Sequence, residues 1–235
     1  MAVYYNTHDS DALAYFSRIE AAGSSINRTN RAAVIAFIRG CKADGIWSAI
    51  KASCLLAGPD TIAGAFVPLK GNTPTYIATD HTSLGGVIGS FDTQTNHTTF
   101  SKDNIHYSVW RTSVSNANHF ILASGGQTVG IGTTSIEVYV EGGIGRLYTR
   151  NQSTNAQNAG TNIGGFIGVT RNLSTSYIRR YNNGNVQLNI SSIETLQNAN
   201  IFSSTLSRLS FYSIGENINL TLLNARLATY MSSII

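Results

Sequence analysis

The residues able to do chemistry in this 235-residue chain are few and badly spaced for it. Five histidines, His8, His81, His97, His106 and His119, are the bases that titrate near neutrality. No two stand four apart across a glutamate, the spacing that sets paired imidazoles around a zinc ion. No Gly-x-Ser-x-Gly elbow presents a nucleophilic serine. His106 and His119 sit in or beside strand-like segments and are expected to be satisfied there; His81 and His97 fall in polar, loop-like sequence and are expected to be solvated. Glycoside cleavage needs two carboxylates about 5–9 Å apart. Glu137 and Glu141 share one face of an alternating segment, yet at roughly 3.3 Å per residue they are about 13 Å apart. Asp80, Asp92 and Asp103 lie in neighbouring polar stretches where calcium-binding oxygens would have to converge. Turn-capping roles are the simpler expectation for them, so no metal, cofactor or enzymatic activity is expected.

One constellation suits contact rather than catalysis. Tyr177, Arg179 and Tyr181 recur at a spacing of two, which puts all three on one strand face. Rings stack on the apolar patches of sugars or proteins, and a guanidinium forks onto acceptors. This face is expected to be a ligand or protein contact, covering the outside of a sheet or meeting a neighbouring copy. The net charge of +4 reflects scarce acids, 12 against 16 bases. Without a dense Lys/Arg stripe, nucleic acid is not an expected partner.

The elements holding these residues change character along the chain. Residues 9–57 read as helical: Ala12, Leu13, Phe16 and Ile19, then Ala33, Val34, Phe37 and Ile38, recur at helical spacing. Trp47, Ile50, Lys51 and Cys54 suggest a third helix ending at Gly58-Pro59. In an antiparallel helical hairpin Cys41 and Cys54 are about 15 Å apart, too far to bridge, and two free buried thiols follow. Beyond Pro59 the period becomes two: residues 107–114, 119–123, 136–141, 145–150, 163–171, 176–181, 186–190 and 208–214 alternate, separated by Gly/Asn turns. The pair 176–181 and 186–190, joined through Asn182-Asn183-Gly184, is the clearest hairpin. Residues 216–231 return to helix, with Leu220, Leu223, Leu227 and Tyr230 in line.

At 42% hydrophobic and 12% charged the chain is globular, with Ser, Thr and Asn replacing ions on its surfaces. The pattern predicts a mainly β, antiparallel sandwich: a helical segment 1–58 for packing or attachment, and a β unit 59–235 closed by a C-terminal helix. The start shows neither a basic nor an apolar targeting region, and no segment has the ~20 apolar residues of a membrane helix.

Ordered motifs add a resemblance. Gly86-Val-Ile-Gly-Ser-Phe-Asp92, His106-Tyr-Ser-Val-Trp-Arg-Thr-Ser113 with Phe120-Ile-Leu-Ala-Ser-Gly125, Phe166-Ile-Gly-Val-Thr-Arg171 before Tyr177-Ile-Arg-Arg-Tyr181, and Leu206-Ser-Arg-Leu-Ser-Phe-Tyr-Ser-Ile-Gly-Glu216 resemble, in order, the strands of the concanavalin A-like, laminin-G-like jelly roll over residues 80–235. Residues 40–58, taken with 209–216, resemble a group of bacteriophage virion proteins of marine and cyanobacterial phages. That resemblance implies a non-enzymatic structural protein, synthesised in the host cytoplasm and carried on the virion as capsid decoration or tail/fibre component. Its implied partners are other virion proteins and copies of itself. A carbohydrate-binding adhesin that meets a host surface glycan is the alternative, and a glycanase the third reading.

Overall fold

The computed structural model describes residues 9–101, 103–124, 134–141, 143–151, 157–181, 184–189 and 200–234. Helix α1 (Ser10–Ala21) starts where the Asp9 carboxylate accepts from the amides of Asp11 and Ala12. Helix α2 (Arg28–Ala43) starts at Asn27, whose side chain accepts from the Asn30 amide. These caps satisfy amides that the first helical turn leaves without partners. The expected third helix is instead a 3₁₀ turn (Trp47–Ala49) running into strand β1 (Ile50–Leu55). Ile50, Ala52 and Cys54 fit a period of two as well as Trp47, Ile50 and Cys54 fit a helical one, and pairing with the rest of the sheet decides it. The helical segment thus ends with α2, and residues 50–55 belong to the β unit.

The remaining elements are α3 (Ile62–Ala65), β2 (Pro68–Lys70), β3 (Thr75–Thr82), β4 (Gly86–Asn96), β5 (Ile105–Arg111), β6 (His119–Ser124), β7 (Thr134–Glu141), β8 (Ile144–Asn151), β9 (Gln157–Thr161), β10 (Gly165–Leu173), β11 (Ser176–Tyr181), β12 (Gly184–Asn189), β13 (Asn200–Gly215) and α4 (Leu220–Ser233). Among the described residues all pairings are antiparallel. One layer runs β12-β11-β10-β5-β13-β1-β2, and the other β3-β4-β13-β6-β7-β8-β9. The 16-residue β13 serves both: residues 200–205 pair with β4 and β6, and residues 211–215 with β5 and β1. The result is an antiparallel jelly-roll sandwich with helices laid over one side. The β11–β12 hairpin has the expected strands, while Asn182 and Asn183 lie outside the described residues.

Two cores result from alternation within the shared layer. Ile105, Tyr107, Val109, Ile167, Val169, Tyr212 and Ile214 point between the layers and meet Val87, Phe91, Ile121, Ile136, Leu147 and Ile201. Phe166 and Phe211 point the other way, against Phe37, Leu223, Leu227 and Tyr230 of the helices. The Phe37 and Phe211 rings meet nearly edge to face, 5.8 Å between centroids, a favoured aromatic geometry. Burying this second face is what makes α1, α2 and α4 part of the fold; an isolated helix of 12–16 residues is marginal in water.

The helix-facing side of that layer also carries small and polar residues in one row: Ser53, Ser213, Ser108 and Gly168 are register partners. A Cβ on Gly168 would lie 2.8 Å from Leu220 Cδ2, so glycine is what lets α4 sit down. Serines read as surface hydration are therefore partly interior. His106 caps the row, its Nδ1–H donating to the Glu216 carbonyl (2.5 Å) while Nε2 accepts from the Ser213 hydroxyl (3.0 Å), to which Ser108 donates (2.7 Å). His97, expected to be solvated, is fully buried beside the Tyr107 ring, and His81, also expected to be solvated, lies half-buried in β3. Burial disfavours the imidazolium and lowers the pKa of His97 and of His106 to about 4.

A base whose pKa falls on folding contributes stability that is complete above its unfolded value, near 6.5, and lost as pH drops toward its folded value. Between pH 7 and pH 5 each of these two histidines should cost about 2 kcal/mol. The melting temperature should then fall by on the order of 10 °C, with less of a fall in His97→Phe. Calorimetry at both pH values checks this; a melting temperature independent of pH in that window contradicts it.

Candidate functional site

At one end of the sandwich, residues from five segments close around a cavity of about 710 Å³. The end of β4 supplies Gln94, Thr95 and Asn96, the β2–β3 connection Gly71 and Asn72, and the stretch before β5 Thr99, Phe100, Ser101 and Asn104. Lys51 of β1 and Glu216, just past β13, complete the wall as an ion pair (3.2 Å). Both members are about half exposed, so this pair contributes little to stability. It does supply one donor cluster and one carboxylate at the rim. The lining is otherwise amides and hydroxyls, with the mostly buried Phe100 ring as its apolar part.

Local hydrogen bonds fix these amides. Gln94 has φ of +55°, a left-handed conformation uncommon for a side chain of its kind. Three contacts hold it there: its amide donates to Asp92 Oδ1 (2.7 Å), its carbonyl accepts from Asn72 Nδ2 (2.9 Å), and its own Nε2 donates to Thr75 Oγ1 (3.0 Å). Asn104 Oδ1 accepts from the Asn217 amide (2.8 Å). In each amide one end is thereby committed, and among the described residues Asn72 Oδ1, Gln94 Oε1 and Asn104 Nδ2 have no protein partner. Two acceptors and a donor on oriented groups can hydrogen-bond a hydroxyl-rich ligand with little ordering cost. A backbone held in a costly conformation by its surroundings is a usual mark of a functional position.

The residues singled out by spacing are placed differently. Tyr177, Arg179 and Tyr181 do share a face, but it is the inner face of β11 rather than the outside of a sheet, and all three are buried between the layers. Tyr177 is 1% exposed and its hydroxyl donates to the Thr149 carbonyl (3.2 Å). Arg179 donates to the Asn158 carbonyl (2.8 Å), and the Tyr181 hydroxyl bonds the Thr161 carbonyl and the Ile163 amide. The strip of sequence sets which residues align; only the layer stacking decides which side is in. The three aspartates do not converge: Asp80 pairs with Arg208, Asp103 with Arg171 (2.9 Å), and Asp92 caps Gln94. Among the described residues no group of three His, Cys, Asp or Glu side chains is arranged to hold a metal. Glu137 is buried in β7, and Glu141 is that strand's last residue. Cys41 and Cys54 are free and buried, each thiol pushed up to about 12 by desolvation. No helix among the described residues is long and apolar enough to cross a membrane.

The cavity residues carry no sequence signal, since Asn, Gln and Thr recur throughout the chain, and the strain at Gln94 exists only in the folded backbone.

No protein-family model and no curated protein matches the chain. Among solved structures, the chain is similar to the receptor binding domain of botulinum neurotoxin D (12% identity, TM-score 0.48, covering 78% of this chain and 52% of that one). It is also similar to domain 4 of an extracellular arabinanase from Geobacillus stearothermophilus in complex with arabinotriose (11%, 0.42, 67% and 82%). A third similar structure is Trypanosoma rangeli sialidase (9%, 0.43, 77% and 33%). The chain spans about half the length of the neurotoxin chain it matches.

The strain at Gln94 predicts an asymmetry. Gln94→Val should cost about 1–2 kcal/mol in urea unfolding, because a β-branched residue tolerates positive φ poorly, while Gln94→Gly should stay within about 1 kcal/mol of the parent. Equal losses in both would show that the side-chain bonds, not the backbone, dominate.

Proposed function

We propose that this chain is a non-enzymatic recognition protein of a phage particle, a jelly-roll module that binds a neutral glycan in the Gln94 cavity and assembles with copies of itself. The observation that carries the glycan reading is the set of pre-oriented amides around the cavity. Sugar hydroxyls both donate and accept, and Asn72, Gln94 and Asn104 offer both functions without a charge to desolvate. Hydrolysis would ask more of the same wall. Among the described residues it holds one carboxylate, Glu216, already paired to Lys51, where a glycosidase places two across the scissile bond. Binding is thus the better-supported chemistry. The particle assignment is supported by the resemblance of residues 40–58 and 209–216 to phage virion proteins. Capsid surface and tail or fibre are both compatible with it.

An array of neutral glycans probed with the purified chain tests the proposal. Selective binding is expected, falling at least tenfold, about 1.4 kcal/mol, in Gln94→Ala and Asn104→Ala, with no release of reducing ends from the bound glycan. Turnover abolished by Glu216→Gln would overturn the non-enzymatic reading. Binding unaffected by both alanine variants would move the site elsewhere.

A further inference from the structure

Among the described residues the two open layers have four edge strands, and each unpaired edge is a template for adding another strand. Three of the four are visibly guarded. Strand β2 is three residues long and contains Pro68 and Lys70. In β3 the register with β4 shifts between Ala78 and Asp80, and Asp80 and His81 put titratable side chains on the edge. In β9 the register with β8 shifts, and Gly160 has φ of +116°. These are the devices that stop edge-to-edge pairing: brevity, proline, charge and bulges.

Strand β12 has none of them. Its residues, Gly184, Asn185, Val186, Gln187, Leu188 and Asn189, include neither a charge nor a proline. They pair with β11 in six consecutive register pairs without a shift, leaving the strand regular to its outer side. Among the described residues β12 pairs with β11 alone. The alternation also leaves an apolar residue at the rim. Val186 and Leu188 lie on the face that meets the inner core, where Leu188 is partly covered, yet Val186 remains 44% exposed. On the opposite face Asn185 is tied to Arg180 and Thr221, and Gln187 to Ser176 (3.2 Å). Among the described residues the strand is thus held from one side and open on the other.

We propose that β12 is the seam of a two-fold dimer, in which β12 of one copy pairs antiparallel with β12 of a second copy and joins two layers into one continuous sheet. A second copy fits this edge because an antiparallel pair of identical strands is self-complementary by symmetry. An uncharged strand also has no like charges to bring face to face. A two-fold axis normal to the sheet keeps Val186 and Leu188 of both copies on one face. Val186 of one copy then lies opposite Val186 or Leu188 of the other and is covered. This rests on the reading of the chain as a self-associating particle component and is independent of the glycan cavity.

Sedimentation equilibrium of the purified chain from about 1 to 200 µM, a range that populates a small interface, tests the seam with Val186→Lys as the variant. Val186 is exposed in the single copy, so the variant should keep the parent's circular dichroism and melting temperature; Val186→Thr, which keeps shape and β preference, is the second variant. The expected result is a concentration-dependent dimer in the parent and in Val186→Thr, with at least a tenfold weaker dissociation constant in Val186→Lys. Hydrogen exchange of the β12 amides should slow with concentration in the parent. A parent that stays monomeric overturns both the seam and self-association. A Val186→Lys variant that dimerises as well as the parent overturns the seam and leaves self-association standing.

Discussion

The structure depends on one strand belonging to two sheets. Because β13 pairs with β4 and β6 in its first half and with β5 and β1 in its second, the two layers cannot slide or separate without breaking its ladder. Side-chain alternation then assigns consecutive residues to different cores: Phe211 to the helices, Tyr212 to the space between layers. The same strand end delivers Glu216 to the cavity wall and to His106. Fold, helix docking and candidate site therefore share a single geometric origin.

A second constraint follows from the first. A layer buried on both faces has to be packed from both sides, and the helix side is filled by alternating large rings with serines and glycine. Phe166 and Phe211 provide apolar area; Ser53, Ser108, Ser213 and Gly168 keep the surface low enough for α4. Buried hydroxyls need partners, and the chain from Ser108 through Ser213 to His106 and the Glu216 carbonyl supplies them for two of these serines. The arrangement places a histidine next to two serines, yet its complete burial and its bond to a main-chain carbonyl make it a structural tie. Its cost appears at acid pH.

Much of this architecture is legible in the sequence because it is written in short-range periodicity. Helices α1 and α2 follow from the spacing of Phe16 and Ile19, and of Val34, Phe37 and Ile38; β5 to β8 and the β11–β12 strands follow from alternation. What periodicity leaves undecided is settled by partners distant in sequence. Residues 50–55 carry both a helical and a strand pattern, and the β13 ladder, some 160 residues away, selects the strand. Residues 216–219 look like a helix start, but Asn217 and Ile218 donate to Asn104 and Thr170, and the helix begins only after Asn219. Tyr177, Arg179 and Tyr181 align as read, yet which side of a strand faces in is a property of layer stacking. The cavity is the least legible part, since its amides are ordinary residues made specific by a left-handed turn at Gln94.

The proposed function, recognition by binding alone at the Gln94 end of the sandwich, stands or falls on one titration. Backbone amide NMR during titration with an oligosaccharide that the chain retains tests it most directly. Saturable shifts confined to residues 71–72, 94–104 and 216–217 are expected, with the sugar resonances unchanged after long incubation. Shifts centred instead on the outer side of β6 to β9, or conversion of the sugar during the titration, would contradict it.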